Sequence, residues 1–293
     1  MRILLTGAKG QISQFIKQQK PDNWEMIATD SKTLDITSPA SVNNMVHNFE
    51  PDVIINTAGY TNLDAAEENQ EQAFAVNSEG TRLLAQAAAN LGIHFITLSS
   101  SYVFDGQKHA PYSESDYPNP LSKYAQSQLA GELLALATNP ESIIIRTSWV
   151  FSEYGNNILT HLVNHVKDTP LTMPSNKIAC PTYAGDLANV LIQLASDRHI
   201  SRGIFHYCGD KAVSCFEFTQ TVFKELSSLT TFNTELLAST EENKHSSLLP
   251  AYSVLSCDKL RTLGYAQSNW QAALKRILPE MITRSYSGSL LKF

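Results

Sequence analysis

The chain is poor in cysteine, has no excess of positive charge and carries no long apolar run. Its four cysteines, Cys180, Cys208, Cys215 and Cys257, are scattered through 293 residues without metal-ligand spacing. That argues against a disulfide-stapled scaffold, and reduced thiols in a cytoplasmic setting are the expectation. A net charge of -6 denies the chain the basic footprint that general nucleic-acid binding needs. The apolar stretches are short and broken by polar residues, so no membrane span is expected. The N-terminus runs from Met1 and Arg2 straight into a strand-like stretch, without the apolar core and cleavage site of a secretory leader. Internal repeats and low-complexity linkers are also lacking. What is present is an ordinary globular composition, long enough for one large α/β domain or two intimate lobes.

The first half alternates β-branched runs with helical stretches. Strands are expected at 2–6, 25–30, 53–56, 93–99 and 142–146, and helices at 11–19, 73–91 and 124–138. Ser38 followed by Pro39 reads as an N-cap with proline at the first helical position, ahead of Val42, Met45, Val46 and Phe49 at helix spacing. Such alternation predicts right-handed βαβ units, hence a Rossmann-type doubly wound parallel sheet covered on both faces. After Trp149 the pattern loosens. Helices are expected at 157–168 and 186–198, a strand at 203–207, and a capping box at Ser214 and Glu217. The polar stretch 230–247 reads as long surface loops. Residues 1–148 are therefore expected to form the Rossmann-type domain. Residues 149–293 are mostly a smaller, intimately packed substrate lobe, with about 183–207 returning to the first domain.

Gly7-Ala8-Lys9-Gly10-Gln11-Ile12-Ser13 sits between an expected strand and an expected helix, the context a dinucleotide fingerprint requires. Gly7 makes the tight turn, and Gly10 lets backbone approach a pyrophosphate at the helix N-terminus. Ser13 occupies the third position, normally Gly or Ala. Asp30 ends the second strand, where an acid accepts from a ribose hydroxyl and leans toward NADH; Lys9 can offset that, so NADPH stays open.

Two further patches carry chemistry: Leu98 to Gly106, leaving a strand end, and Tyr124 to Gln128, opening a helix. A hydroxyl at a strand end can bond a carbonyl, and a tyrosine can donate a proton as hydride arrives. Taken alone, such serines are turn formers and such a tyrosine is packing. Their company decides. Pro51 to Thr61 with Asp64 and Ala66-Glu67, Ala73 to Asn77, Ser99 to Phe104, Asn119-Pro120-Leu121, Leu129 to Glu132, Arg146 to Phe151, Gly155 to Asn157, Pro181-Thr182 and Tyr252 to Leu255 together resemble the dTDP-4-dehydrorhamnose reductase family. The likeness runs from about Met1 to Trp270.

That resemblance implies a sugar-nucleotide 4-keto reductase using NADPH or NADH, with a dTDP-sugar substrate and room for a homodimer; no metal-ligand residues are assigned, and dependence on a divalent ion stays open. It implies Tyr124 as catalytic acid, Ser100 in the place of a catalytic threonine, and Gln128 at the position of the family's lysine. Cofactor contacts are implied at Gly7, Lys9, Gly10, Gln11, Ile12, Asp30, Asp35, Ile36, Ala58, Gly59, Tyr60, Tyr124 and Gln128. Substrate contacts are implied at Ser100, Ser101, Tyr102, Trp149 and Asn157.

Two departures stand out. Gln128 can keep a ribose hydrogen bond but supplies no charge to favour a tyrosinate. Lys123, next to the tyrosine, points about 100° away around the helix and is a poor substitute. The second is Leu249, where the family usually has an arginine; if that arginine clamps a diphosphate, a cation is missing, and Lys244 and His245 are candidates for it. His161 and His165 have zinc-helix spacing, but Leu162 occupies the slot of the required glutamate and no third ligand is evident. The sequence leaves open a working reductase, a silent dinucleotide-binding module that has lost its lysine, and a relative with shifted chemistry such as an epimerase or dehydratase.

Overall fold

The computed structural model describes residues 1–165, 170–197, 199–241 and 247–286. The chain opens with β1 (Arg2–Thr6), α1 (Gln11–Gln19), β2 (Glu25–Thr29), α2 (Pro39–Phe49) and β3 (Val53–Asn56). It continues through α3 (Leu63–Glu68), α4 (Gln70–Phe74), α5 (Thr81–Leu91), β4 (His94–Ser100), α6 (Lys123–Thr138) and β5 (Ile143–Thr147). Then come β6 (Val150–Phe151), α7 (Ile158–His165), β7 (Leu171–Pro174), β8 (Ile178–Ala179), β9 (Thr182–Tyr183) and α8 (Ala184–Ser196). The last elements are β10 (Gly203–His206), β11 (Val213–Ser214), α9 (Cys215–Ser227), β12 (Leu236–Ser239), α10 (Asp258–Thr262) and α11 (Trp270–Tyr286).

Six strands form one parallel sheet in the order β10-β5-β4-β3-β1-β2, the doubly wound arrangement expected from the alternation. Its strands alternate between two apolar layers. Ile3, Leu5, Val53, Ile55, Ile143 and Ile145 face the layer shared with α1 and α8, whereas Leu4, Ile54, Phe95 and Ile144 face α2 and α5. Burial on both faces is why these strands read as continuous apolar runs. Because β1 lies between β2 and β3, strand order reverses there, and a crevice opens at the carboxyl ends of β1 and β3. The remaining strands pair as three short ribbons, β8 with β11, β7 with β12 and β6 with β9. No helix among the described residues is long and apolar enough to cross a membrane.

Three stretches differ from expectation. The helix expected over 73–91 is interrupted by a π-helical turn at Ala75–Gly80. Helix α6 approaches so closely there that a Cβ on Gly131 would lie 2.2 Å from the Asn77 carbonyl oxygen, and a widened turn accommodates the contact. Within 230–247, β12 pairs with β7 in place of a loop; both strands are largely half-buried or exposed, so neither shows clear apolar alternation. α11 contains Pro279, an ordinary helix breaker, yet buries Trp270, Leu274, Ile277 and Leu278 along one face. The ends of the helices expected at 157–168 and 186–198 lie partly outside the described residues.

An ion pair ties these layers together beneath the crevice. Glu132 of α6 and Arg146 of β5 are each 2% exposed and meet in two parallel bonds, Nε to Oε1 at 2.8 Å and Nη2 to Oε2 at 2.6 Å. The hydroxyl of Ser99, in β4, donates to the same carboxylate. The guanidinium lies 5.1 Å from the Phe104 ring centre, and His206 of β10 stands 3.5 Å from Arg146 Nη1. Burial, with the adjacent Arg146 charge, pushes His206 down to about 3.

The sign of the resulting pH dependence follows from that shift. Below the ordinary histidine value of 6.5, an unfolded chain takes up a proton that folded His206 refuses until about pH 3. The contribution to stability is therefore complete above 6.5 and lost as pH falls. Urea unfolding between about pH 6.5 and 4.5 should show a slope that His206→Gln makes shallower by up to about 1.4 kcal/mol per pH unit. Equal slopes in the two proteins would refute a neutral buried imidazole.

Candidate active site

The turn after β1 is built for close approach. Gly7 adopts φ +76°, and a Cβ there would lie 2.7 Å from Ala58 N. Gly10 caps α1 in extended conformation, with no side-chain cap and no acidic residue in the first turn. Its own N–H bonds Gly7 O at 2.9 Å, while a Cβ at Gly10 would meet nothing closer than that oxygen at 3.2 Å. A helix start with no side-chain cap and no competing anion fits a dinucleotide phosphate. Ser13, fully buried, shares a 2.7 Å hydrogen bond with Thr57 Oγ1, which satisfies the hydroxyl that a third glycine would lack. At the other edge Lys9 Nζ sits 2.6 Å from Asp30 Oδ2. Lys9, together with the Lys32 amide, holds the Asp30 carboxyl down at about 2.

From this turn a cleft of about 480 Å³ runs toward the smaller lobe. Gln11, Ile12, Ala58, Gly59, Ser100, Tyr102, Tyr124, Gln128, Trp149 and Asn157 all line it. Burial pushes the Tyr124 phenol above its ordinary value of 10, and a hydrogen bond with Ser100 partly offsets the shift. Gln128 Nε2 lies 3.9 Å from the Cβ position of Gly59, across from the segment leaving β3. Trp149 is held at φ +42°, a strained setting for a bulky residue, by Thr182 N bonding Trp149 O at 3.2 Å and Thr182 Oγ1 bonding Ser148 O at 2.6 Å. So held, its indole N–H donates to Tyr102 Oη at 2.9 Å. The Gln11 side chain is committed to the lobe junction: it donates to Val150 O at 3.1 Å and accepts from Ser152 Oγ at 2.9 Å and Asn157 Nδ2 at 3.3 Å.

Other expected residues lie elsewhere. Gly7, Lys9, Gly10 and Asp30 form the adjoining turn rather than the cleft wall. Asp35 accepts from Thr37 N and Oγ1 at 2.9 and 2.7 Å, stabilising its own loop. Ile36 is buried against Gly80 in the core. Tyr60 donates to Ala65 O at 3.4 Å, and Ser101 is buried with its hydroxyl unpartnered. None of these four side chains lines the cleft. Conversely, Thr57, Leu63, Thr147, Ser148, Asn156 and Cys215 do; Thr57, Thr147, Ser148 and Asn156 fall within segments that carry the family resemblance, whereas Leu63 and Cys215 have no such signal.

Asn77 ends the Ala73 to Asn77 segment that carries the resemblance, without an assigned site role, and the fold makes it a positioning residue. Its side chain accepts from Tyr60 N at 2.7 Å and donates to Tyr60 O at 3.0 Å and Ser127 Oγ at 2.9 Å. Ser127 Oγ in turn donates to Tyr124 O at 2.7 Å. The π-helical turn brings Asn77 between the cofactor-side loop and the helix bearing Tyr124 and Gln128. An asparagine inside an alanine-rich helix was the available signal. Among the described residues, no group of three or more His, Cys, Asp or Glu could hold a metal ion.

Known proteins share this architecture end to end. A family model described as RmlD substrate binding domain matches residues 1–283. A dTDP-4-dehydrorhamnose reductase from Aggregatibacter actinomycetemcomitans is 38% identical over 287 residues, 94% of this chain and 98% of the relative. The crystal structure of a dTDP-4-dehydrorhamnose reductase from Clostridium acetobutylicum superposes with TM-score 0.89 at 33% identity, covering 96% of this chain and 100% of that one. One from Bacillus anthracis, in complex with NADP, gives TM-score 0.88 at 29% identity over 95% and 99% of the two chains. The motifs around the cleft and the match over nearly the whole length agree: the chain belongs to the RmlD substrate binding domain family.

Proposed function

We propose that the protein reduces the 4-keto group of dTDP-4-dehydro-6-deoxy-L-mannose with NAD(P)H, yielding dTDP-L-rhamnose. The observation that carries this reading is the Ser100–Tyr124 hydroxyl pair, set in an uncharged cleft that leads from the glycine turn to Tyr102 and Trp149. The relatives called dTDP-4-dehydrorhamnose reductase, one of them crystallised with NADP, support the substrate and the cofactor.

Gly7, Gly10 and the start of α1 would hold the dinucleotide phosphates, with Asp30 and Lys9 toward the ribose and Gln128 and Tyr124 toward the nicotinamide. A bound reduced nicotinamide supplies the hydride. Tyr124, kept protonated by its buried setting, gives its proton to the carbonyl oxygen as that oxygen gains charge. Ser100 orients the phenol and offers a second hydroxyl to the same oxygen. Gln128 fixes position without adding charge, which a reductase tolerates because its tyrosine must start protonated. The silent-module reading is not favoured, since the hydroxyl pair survives the loss of the lysine. In this proposal residues 1–148 bind the dinucleotide and 149–293 mostly the sugar nucleotide, with about 183–207 returning to the first domain. A cytoplasmic location and the absence of a nucleic-acid partner go with it, and a homodimer is compatible.

Calorimetry should detect NADPH or NADH binding to the wild type and none to Gly10→Val, whose side chain would fill the space of the pyrophosphate; circular dichroism of the variant checks that the fold survives the 3.2 Å approach of its Cβ to Gly7 O. Failure of the wild type to bind either cofactor would sink the reading.

Tyr124→Phe should lower turnover by ~10²–10⁴-fold with little change in cofactor affinity. Activity within a few-fold of wild type would assign the proton to another group.

Gln128→Lys should move the alkaline limb of the pH–rate profile to lower pH, because a cation beside the phenol favours the tyrosinate. Turnover near neutrality should change by less than ~10-fold. A wild type that binds cofactor yet is inert would instead support the silent module.

A further inference from the structure

One helix touches both ends of the cleft. The N-terminus of α1 follows the glycine turn, and Gln11, its first residue, presents a backbone N–H that no intrahelical carbonyl can accept. The side of the same helix carries the segment that follows Trp149. Gln11, Phe15 and Gln18 recur at helix spacing along that side. Gln18 Nε2 donates to Tyr154 Oη at 3.2 Å. The Phe15 ring packs edge-on with Tyr154 and with Tyr183, ring centres 5.3 Å apart in each case.

Gln11 heads this row and lines the cleft. Its side chain donates to Val150 O, one residue beyond Trp149, and accepts from Ser152 Oγ and Asn157 Nδ2. A single side chain thus reaches both ends of the segment from Val150 to Asn157. Gly155, at φ +73°, runs so close that a Cβ there would sit 3.9 Å from the Gln11 Cβ. Asn157 extends the contact into α7, where its Oδ1 accepts from Leu159 N at 3.0 Å and Thr160 N at 3.3 Å. Trp149, Val150, Asn156, Asn157 and Ile158 all line the cleft. The wall facing a sugar nucleotide is therefore tied, through one uncharged amide, to the helix start that faces a dinucleotide phosphate.

A phosphate on the backbone of Gly10 and Gln11 fixes the point from which this side chain departs. A ligand against Trp149 and Asn157 fixes the partners that it reaches. Both ligands favour the same bridged arrangement, so each stabilises it for the other. We propose that Gln11 couples the two ligands, so that a dinucleotide at the glycine turn tightens sugar-nucleotide binding in the cleft. This rests on the reading above that both ligands share this cleft. The side chain of Gln11 is a positioning group, with no part in proton or hydride transfer.

The test is calorimetric titration of dTDP without and with saturating NADP⁺ or NAD⁺, which fills the dinucleotide site but supplies no hydride. In the wild type the oxidised cofactor should tighten dTDP about 10-fold, and dTDP should tighten the cofactor by the same factor, because linkage is reciprocal. Gln11→Met keeps the length of the side chain and removes its hydrogen bonds, so the ratio should fall to within about 2-fold of unity. Ser152→Ala, which removes one bond from the far side, should lower the ratio part of the way. A purely structural role would weaken dTDP equally in both titrations and leave the ratio unchanged, and circular dichroism of each variant checks the fold. A wild-type ratio near unity overturns the proposal, as does a ratio that persists in Gln11→Met. A wild type that binds neither ligand refutes the proposed function and this inference together. Coupling that Gln11→Met abolishes, in a protein that reduces no keto sugar, refutes the proposed function and leaves this inference standing.

Discussion

The buried pair of Glu132 and Arg146 is the constraint on which the site depends. Neither charge reaches water, and burying them is recovered only because every strong contact is made: two parallel bonds, the Ser99 hydroxyl and the face of Phe104. Removing one partner from such a pair costs about 3–5 kcal/mol, since a naked charge remains. The pair also sets geometry. Glu132 lies two helical turns beyond Tyr124 on α6, and Ser99 precedes Ser100 at the end of β4. Clamping Glu132 to Ser99 and Arg146 therefore fixes the phenol against the hydroxyl it must meet.

Charge around the cleft is separated by position. The wall itself is neutral, which leaves desolvation as the leading influence on Tyr124 and keeps its proton in place. Beside the dinucleotide turn, Lys9 and Asp30 pair with each other at the edge of the cleft. A neutral middle suits a proton donor that must begin protonated.

Polar networks carry the rest of the positioning. Asn77 joins the loop after β3 to α6 through Tyr60 and Ser127, while Asn56 joins three strands and α5 by accepting from Thr6 Oγ1 at 2.6 Å and donating to Thr97 Oγ1 at 3.0 Å and Thr81 Oγ1 at 3.4 Å. Buried groups this well satisfied are rigid, because each would lose a bond if its element shifted. The strain at Trp149 is held in the same way, by bonds from Thr182 on the neighbouring ribbon.

Sequence by itself determined the sheet, the glycine turn and the residues proposed to carry the chemistry. Their signals are local: apolar runs such as Val53 to Asn56, Ser38 before Pro39, Gly7 between strand and helix, and Tyr124 at a helix start. The π-helical turn was not legible, because its cause is the approach of Gly131 from a helix far along the chain. Ser13 looked like a poor third glycine until folding brought Thr57 to its hydroxyl. Asp35 and Ile36 matched by position, yet one serves its own loop and the other the core. The lack of an arginine at Leu249 could be seen in the sequence, but not that Lys177, from the segment before β8, donates to the Leu249 carbonyl. Chain order records which residues are present; only packing, which joins segments far apart in sequence, decides which charges and hydroxyls become neighbours.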